Sequence, residues 1–278
     1  MNAWKPPSDS LHLRGNVWCP LAVSSVSYPE TGNEECFQVE DESYWFEHRN
    51  TCLLKAAELF PFEGTFYDIG GGNGFVAAAF QRSGCEVVLL EPGLGAFNAV
   101  KRGVSRVVHC ALDDAGFLPG TLDAAGAFDV VEHIEDDVAF LSGIRRLLRP
   151  GGRFYCTVPA MSALWSDEDI HAGHYRRYSK ASLTDVMQKT GFEVEFLTGI
   201  FAWLTLPVFL LRALPFRLWG GKAEKRGSVV AVQSDHTLPG TISGLVGKLH
   251  QWELSRLGRR CPIPFGTSLL CVARAPLS

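Results

Sequence analysis

The sequence predicts an α/β domain: a seven-stranded, mostly parallel sheet with helices on both faces, and a helical cap inserted before the last strand. Three observations predict it. Short apolar runs alternate with helical stretches between Phe66 and Leu197, the pattern of a parallel sheet covered on both sides. A glycine-rich turn, Gly70-Gly71-Gly72-Asn73-Gly74, joins the first of these runs to a helix of small and apolar residues reaching Gln81. Glu91 closes the second run, 23 residues after Asp68.

Taken in chain order, residues 1–40 are polar and broken by Pro6, Pro7, Pro20 and Pro29, and read as an irregular arm. A helix is expected from about Asp41 to Phe60, with Trp45, Phe46, Leu53, Leu54 and Leu59 as its apolar positions and Pro61 as its stop. Core strands follow around Phe66–Ile69, Glu86–Glu91, Val107–Ala111, Asp123–Phe128 and Arg153–Val158. Helices are expected over Asp136–Leu148, stopped by Pro150-Gly151-Gly152, and over Ser179–Thr190, with Ser179 as N-cap and Gly191 past the end. Glu193–Leu197 and Ser268–Ala273 supply the last two strands. The core is therefore placed at residues 41–198 and 264–278, with 199–263 as an insertion.

The insertion begins with twelve uncharged residues, Ile200 to Leu211, interrupted by Pro207 and followed by Arg212, Arg217, Lys222, Lys225 and Arg226. A spanning helix needs about 20 apolar residues, so this run is too short to cross a bilayer. Two readings stay open. One is a buried cap over a substrate pocket. The other is an interfacial segment over 200–219 that touches a membrane surface through basic anchors. Gly220–Pro239 reads as a mobile loop.

Composition narrows the function classes. With 46% hydrophobic and 20% charged residues the chain suits a domain that buries a core. A net charge of −4, with no basic stripe interleaved with aromatics, speaks against a nucleic-acid partner. Eight cysteines without a C-x-x-C pair speak against zinc ribbons and a disulfide framework, and fit a reducing cytoplasm. The first thirty residues lack a basic stretch leading into an apolar core, so no signal peptide is expected.

The glycine turn carries the chemistry. Gly70, Gly72 and Gly74 let the backbone approach a ligand with no Cβ in the way, and the helix start offers unpaired N–H groups. Asp68 aims an acceptor into the same crevice, and an acid at the place of Glu91 accepts the hydroxyls of a ribose. Together they read as a nucleoside-cofactor site. The dinucleotide pattern would need a third glycine where the chain has Phe75.

The spacing Asp68-x-Gly70-x-Gly72-x-Gly74 resembles instead the first motif of class I S-adenosylmethionine-dependent methyltransferases, in the small-molecule branch of types 11, 12 and 23. Leu147 to Phe154, around the Pro-Gly-Gly turn, and Phe128 to His133 also resemble that family, as does Ser43 to Asn50 ahead of the core. The resemblance implies a Rossmann-like fold and S-adenosylmethionine as cofactor, held by Asp68, Gly70, Gly71, Gly72, Gly74 and Glu91. It implies that Phe128 packs near the adenosine and that Arg49 pairs with the methionine carboxylate; of Asp113 and Asp114, which follow the third strand, Asp113 is the one taken to accept from an adenine amino group, the other being solvated loop. A surface arginine is the structural alternative for Arg49.

Residues Trp165 to Tyr178 form a loop rich in His, Arg and Tyr after the fifth strand, where α/β ligands bind. Here His174, with His133, is a candidate general base or positioning donor, Arg177 a candidate anion clamp, and Trp165 and Tyr178 candidate substrate contacts. A polar network that merely locks the loop is the alternative. Asp129, Glu132 and His133 have a spacing that could hold a divalent metal on one helical turn, but carboxylates at a helix start are the commoner cause, and no metal is expected. The expected reaction is methyl transfer to an oxygen or nitrogen of a small-molecule, sugar, lipid-linked or peptide acceptor. A non-catalytic assembly protein and a nicotinamide oxidoreductase are the rival classes.

Overall fold

The computed structural model describes residues 4–6, 8–20, 37, 40–219 and 240–277. The rest of the N-terminal arm and the expected loop at 220–239 lie outside the described residues.

The sheet has nine strands in the order β1-β2-β5-β4-β3-β6-β7-β9-β8. Seven of them, β3 (Thr65–Ile69), β4 (Glu86–Leu90), β5 (Val107–Val108), β6 (Leu122–Phe128), β7 (Leu148–Pro159), β8 (Glu193–Ile200) and β9 (Ser268–Arg274), overlap the seven expected runs. The two extra strands correct the sequence reading. Residues 11–20 of the supposedly irregular arm form a hairpin, β1 (Leu11–Arg14) and β2 (Val17–Pro20), and β2 extends the sheet parallel to β5. The turn is Gly15-Asn16, with Gly15 at φ 61°, a conformation glycine adopts without a Cβ penalty.

β3 pairs in parallel with β4 on one side and β6 on the other. Its C-terminal end is thus the point where the chain leaves toward opposite halves of the sheet, the place where open α/β sheets bind their ligands. β9 runs antiparallel between β7 and β8.

Strand alternation sends successive side chains to opposite faces. Phe66 on β3 and Val87 and Leu89 on β4 pack with Val76, Phe80, Phe128 and Leu53 on one face. Tyr67, Ile69, Val88 and Leu90 pack with Val131, Leu141, Ile144 and Leu183 on the other. Phe66 is fully buried, a burial worth roughly 2–3 kcal/mol.

Helix α1 (Tyr44–Leu59) starts where the Ser43 hydroxyl accepts the N–H groups of Trp45 and Phe46. Helix α2 (Phe75–Arg82) starts at Gly74, which is left-handed at φ 77°. Helices α3 (Gly95–Lys101), α4 (Asp137–Leu147), α5 (Asp167–Ala172) and α6 (Lys180–Lys189) follow. The Pro-Gly-Gly stretch is an irregularity inside β7, since Leu122 pairs Leu148 while Ala124 pairs Arg153.

After β8 a helical run, α7, comprises Thr205–Val208, a π turn Phe209–Ala213 and Leu214–Trp219. Pro207 is tolerated because the first turn of a helix leaves its N–H groups unpaired. Helix α8 (Gly240–Gly258) packs on α1 through Glu253, whose carboxylate meets His48 Nε2 at 2.8 Å and accepts the backbone N–H groups of Phe201 (2.9 Å) and Ala202 (2.6 Å). Among the described residues no helix is long and apolar enough to cross a membrane.

Candidate active site

The glycine turn is bolted in place from outside. Gly70 and Gly71 donate their N–H groups to Leu90 O, at 2.8 and 3.2 Å. Gly72 N–H donates to Glu91 Oε2 at 2.9 Å, while Gly93 N–H donates to Glu91 Oε1 at 2.7 Å. Glu91 thus ties the turn to the end of β4, with each oxygen keeping spare acceptor capacity. Its burial holds its pKa above the usual carboxylate value, and the two N–H groups partly offset that.

Asp68 is 1% exposed, and neither carboxylate oxygen makes a hydrogen bond of good geometry. Burial pushes its pKa up to about 7, against the pull of the Arg49 guanidinium and the Ala77 N–H in the first turn of α2. An unpartnered buried carboxyl is costly, so the site is built for a group that satisfies it.

Arg49 projects from α1 over this crevice. Its NH1 donates to Asp129 Oδ2 at 2.5 Å, and its Nε is buried without a partner. Trp45 and Phe46 flank the guanidinium at 4.9 and 5.1 Å from their ring centres. Asp129 follows β6 with φ 56°, a left-handed conformation unusual for a residue with a Cβ, and its N–H donates to Thr157 O on β7.

Beyond Asp129 the chain turns through Val131–His133. Glu132 is 1% exposed, and burial and the neighbouring Asp129 raise its pKa well above the carboxylate range. Burial and the nearby His174 push His133 down to about 4. His174 comes from the loop after α5, with its ring centre 4.7 Å from that of His133. Its Nδ1 lies 2.9 Å from Asp169 Oδ1, and its Nε2 lies 4.0 Å from Glu132 Oε1.

Several expectations need correction. Arg177 is no free anion clamp: its Nε donates to Asp169 Oδ1 at 2.7 Å and its NH1 to Ala160 O at 3.2 Å. Tyr178 is 3% exposed, and its hydroxyl donates to Asp137 Oδ2 at 2.6 Å, so it locks the loop rather than facing the crevice. Phe128 stacks on Phe66 in the core, 6.3 Å between ring centres, because strand alternation sends it to the same face. Of the trio whose spacing could hold a metal, Asp129 turns to Arg49, while the side-chain donors of Glu132, His133 and His174 converge. Asp113 lies exposed on a short turn after β5, and Trp165 is half-buried after β7.

Sequence reasoning passed over Asp169, which is fully buried and orients both His174 and Arg177. Its signal was the Ser166-x-x-Asp169 capping box, in which Asp169 Oδ2 accepts the Ser166 N–H. It also passed over Glu40 and Arg102, which brace the turn from behind. Arg102 NH1 donates to Asn73 O at 3.0 Å and to Glu40 Oε2, and Asn73 Oδ1 accepts from Asn98 at 3.0 Å. A cavity of about 900 Å³ lined by Lys55, Glu58 and Gly64 opens at the N-terminal ends of β3 and β4, away from these groups.

A family model described as a methyltransferase domain matches residues 44–196. A Mycolicibacterium smegmatis protein named "Probable S-adenosylmethionine-dependent methyltransferase" is 27% identical over 177 residues, covering 62% of this chain and 68% of that protein. A ubiquinone biosynthesis O-methyltransferase of Cereibacter sphaeroides is 34% identical over 110 residues, 35% of this chain and 42% of that protein. The match to the second relative thus spans less than half of its length. The fold is shared with Haemonchus contortus phosphoethanolamine N-methyltransferase 2, solved with S-adenosylmethionine, at 19% identity and a TM-score of 0.54, covering 92% of this chain and 61% of that one.

Proposed function

This chain belongs to the S-adenosylmethionine-dependent methyltransferases, and from that premise we propose that it methylates an oxygen or nitrogen of a small-molecule acceptor in the crevice above β3, β6 and β7. The observation that carries the reading is the set of buried, unpartnered polar atoms around that crevice: both Asp68 oxygens, Arg49 Nε and Glu132 Oε2. They fit the cofactor by charge. Its ammonium suits Asp68, its carboxylate suits Arg49, and its ribose hydroxyls suit the spare lone pairs of Glu91. Bound there, the cofactor supplies a methyl group on a sulfonium, which is already a good leaving group.

The chain's own work is then positioning and proton handling. The glycine turn fixes one end of the crevice, and Arg49 closes it from α1. An acceptor hydroxyl loses its proton at the Glu132–His133–His174 cluster, where Asp169 holds His174 with Nε2 toward Glu132. Similarity to an O-methyltransferase favours an oxygen acceptor.

A second feature bears on the acceptor's polarity. Leu206, Leu210, Leu211 and Leu218 on α7 are all exposed, which favours a hydrophobic or lipid-borne acceptor, or peripheral contact with a membrane surface through 200–219.

The test is calorimetric titration with S-adenosylmethionine, S-adenosylhomocysteine and NADH, followed by assay of S-adenosylhomocysteine formation with hydroxylated and amine acceptors. Binding of the two sulfur nucleosides with turnover of one acceptor class supports the reading. Binding with no turnover of any class favours an assembly protein on the same fold, and absence of binding overturns the proposal.

A further inference from the structure

We propose that Glu132, His133 and His174 form a site for a divalent first-row transition cation, with coordination positions left open toward the acceptor crevice. The proposal rests on the reading of this crevice as the acceptor site and says how the acceptor's proton is removed there.

The first support is convergence. One donor atom from each of the three side chains lies within 4.8 Å of the others. A tetrahedral cation with bonds of about 2.1 Å would draw its donors to roughly 3.4 Å apart, a closure of at most about 1.4 Å that side-chain rotation can supply.

The second support is the way each donor is held. His174 Nδ1 is tied to Asp169, so Nε2 is the nitrogen left to face Glu132. Asp169 is itself fixed by Arg177 Nε at 2.7 Å and by Ser166 N–H at 2.9 Å. This carboxylate–imidazole arrangement is the one that orients metal-binding histidines and sets their tautomer. The ring of His133 meets the backbone carbonyls of Ala172 and Gly173, which help fix its orientation beside His174 and Glu132. Tyr175 N–H donates to Glu132 O at 2.8 Å and holds the backbone beneath the carboxylate.

The third support is independent of the histidines. Glu132 is 1% exposed and its Oε2 has no hydrogen-bond partner. A buried carboxylate oxygen without a donor is destabilising unless a cation meets it.

The donor set selects the ion class. Two imidazoles and one carboxylate suit zinc, cobalt, manganese or ferrous ions better than magnesium or calcium, which take oxygen ligands. Three protein ligands also leave positions for an acceptor oxygen, whose hydroxyl pKa such a cation lowers so that its proton passes to solvent water. Asp129 is outside the set because Arg49 holds its carboxylate.

The experiment is titration of the chelator-treated full chain with Co2+, read by its visible absorption, and with Zn2+, read by calorimetry. S-adenosylhomocysteine binding is measured alongside, without added cation. The expected result is one equivalent of Co2+ displaced by Zn2+, with Zn2+ affinity at least tenfold weaker in His174→Ala and in Glu132→Gln. Asp169→Asn should weaken it by about 10–100-fold, as losses of an orienting carboxylate do. Circular dichroism identifies any variant that fails to fold, and the wild-type Co2+ spectrum decides without them. No Co2+ uptake by wild type, or uptake unchanged in both folded ligand variants, overturns the metal site. Absence of S-adenosylhomocysteine binding instead overturns the reading beneath it.

Discussion

A Cβ placed on Gly71 would stand 2.6 Å from Asp68 Oδ2, so the carboxyl lies directly beneath the backbone of the turn. Leu89 Cδ1 is 2.8 Å from the same point, and both neighbours are buried. Gly71→Ala should therefore cost about 1–3 kcal/mol through overpacking, read as a lower urea midpoint with unchanged m-value. It should also lower S-adenosylmethionine affinity more than Gly84→Ala, a turn glycine whose added Cβ meets nothing within 4 Å.

Asp68 gives a pH signature. Its folded pKa of about 7 lies above the ordinary 3.8, so its ionisation opposes folding. That contribution is harmless below about pH 4 and destabilises progressively as pH rises toward 7, by at most about 4 kcal/mol. Cofactor-free Asp68→Asn should then be more stable than wild type at pH 8 and level with it near pH 4. The same substitution should weaken cofactor binding at pH 8, a trade-off that paired thermal melts and calorimetry would reveal.

Glu91 has two structural bonds and spare acceptor capacity, so its variants should separate by chemistry. Glu91→Gln keeps one acceptor oxygen, whereas Glu91→Ala releases both Gly72 and Gly93. Loss of one to two charge-assisted bonds at about 1.4 kcal/mol each corresponds to roughly 10–100-fold weaker S-adenosylhomocysteine binding in Glu91→Ala, with a smaller loss in Glu91→Gln. Equal affinity in all three proteins would contradict this role.

Glu253 should be a stability hot spot far from the chemistry. It joins α8 to α1 and satisfies two buried backbone N–H groups, one of them on Phe201, whose φ of 55° is strained for a bulky residue. Glu253→Ala leaves those groups and His48 without their acceptor and should cost about 3–5 kcal/mol in a denaturant melt. Cobalt uptake at His174 should persist in the fraction that stays folded.

The cofactor turn and the strands around it were legible in the sequence because their chemistry is local. Glycines, strand-end acids and apolar runs carry their meaning within a few residues. The loop from Trp165 to Tyr178 was only half legible. Its histidines and arginines look alike whether they meet a ligand or one another, and the deciding partners, Asp137 and Asp169, lie 41 and 8 residues from Tyr178 and Arg177. Phe128 was within reach, since strand parity with Phe66 across β3 and β6 sends it to the core face. The β1–β2 hairpin was signalled by Leu11-His12-Leu13-Arg14 and the Gly15-Asn16 turn, but four-residue strands gain their meaning only from a sheet edge supplied by residues 107–108.

That edge has a consequence for how the protein assembles itself. β2 meets β5 through Val17 and Val107, residues about 90 positions apart, so a long loop must close before the pairing stabilises anything. Non-local pairing of this kind forms late. During synthesis the bare β5 edge, with its unsatisfied amides, is open to strand addition by other chains until the N-terminal ribbon seats on it. Once seated, the ribbon moves the open edge outward to β1, where Arg14 puts a positive charge on the rim. The ribbon thus serves as an intramolecular guard against aggregation.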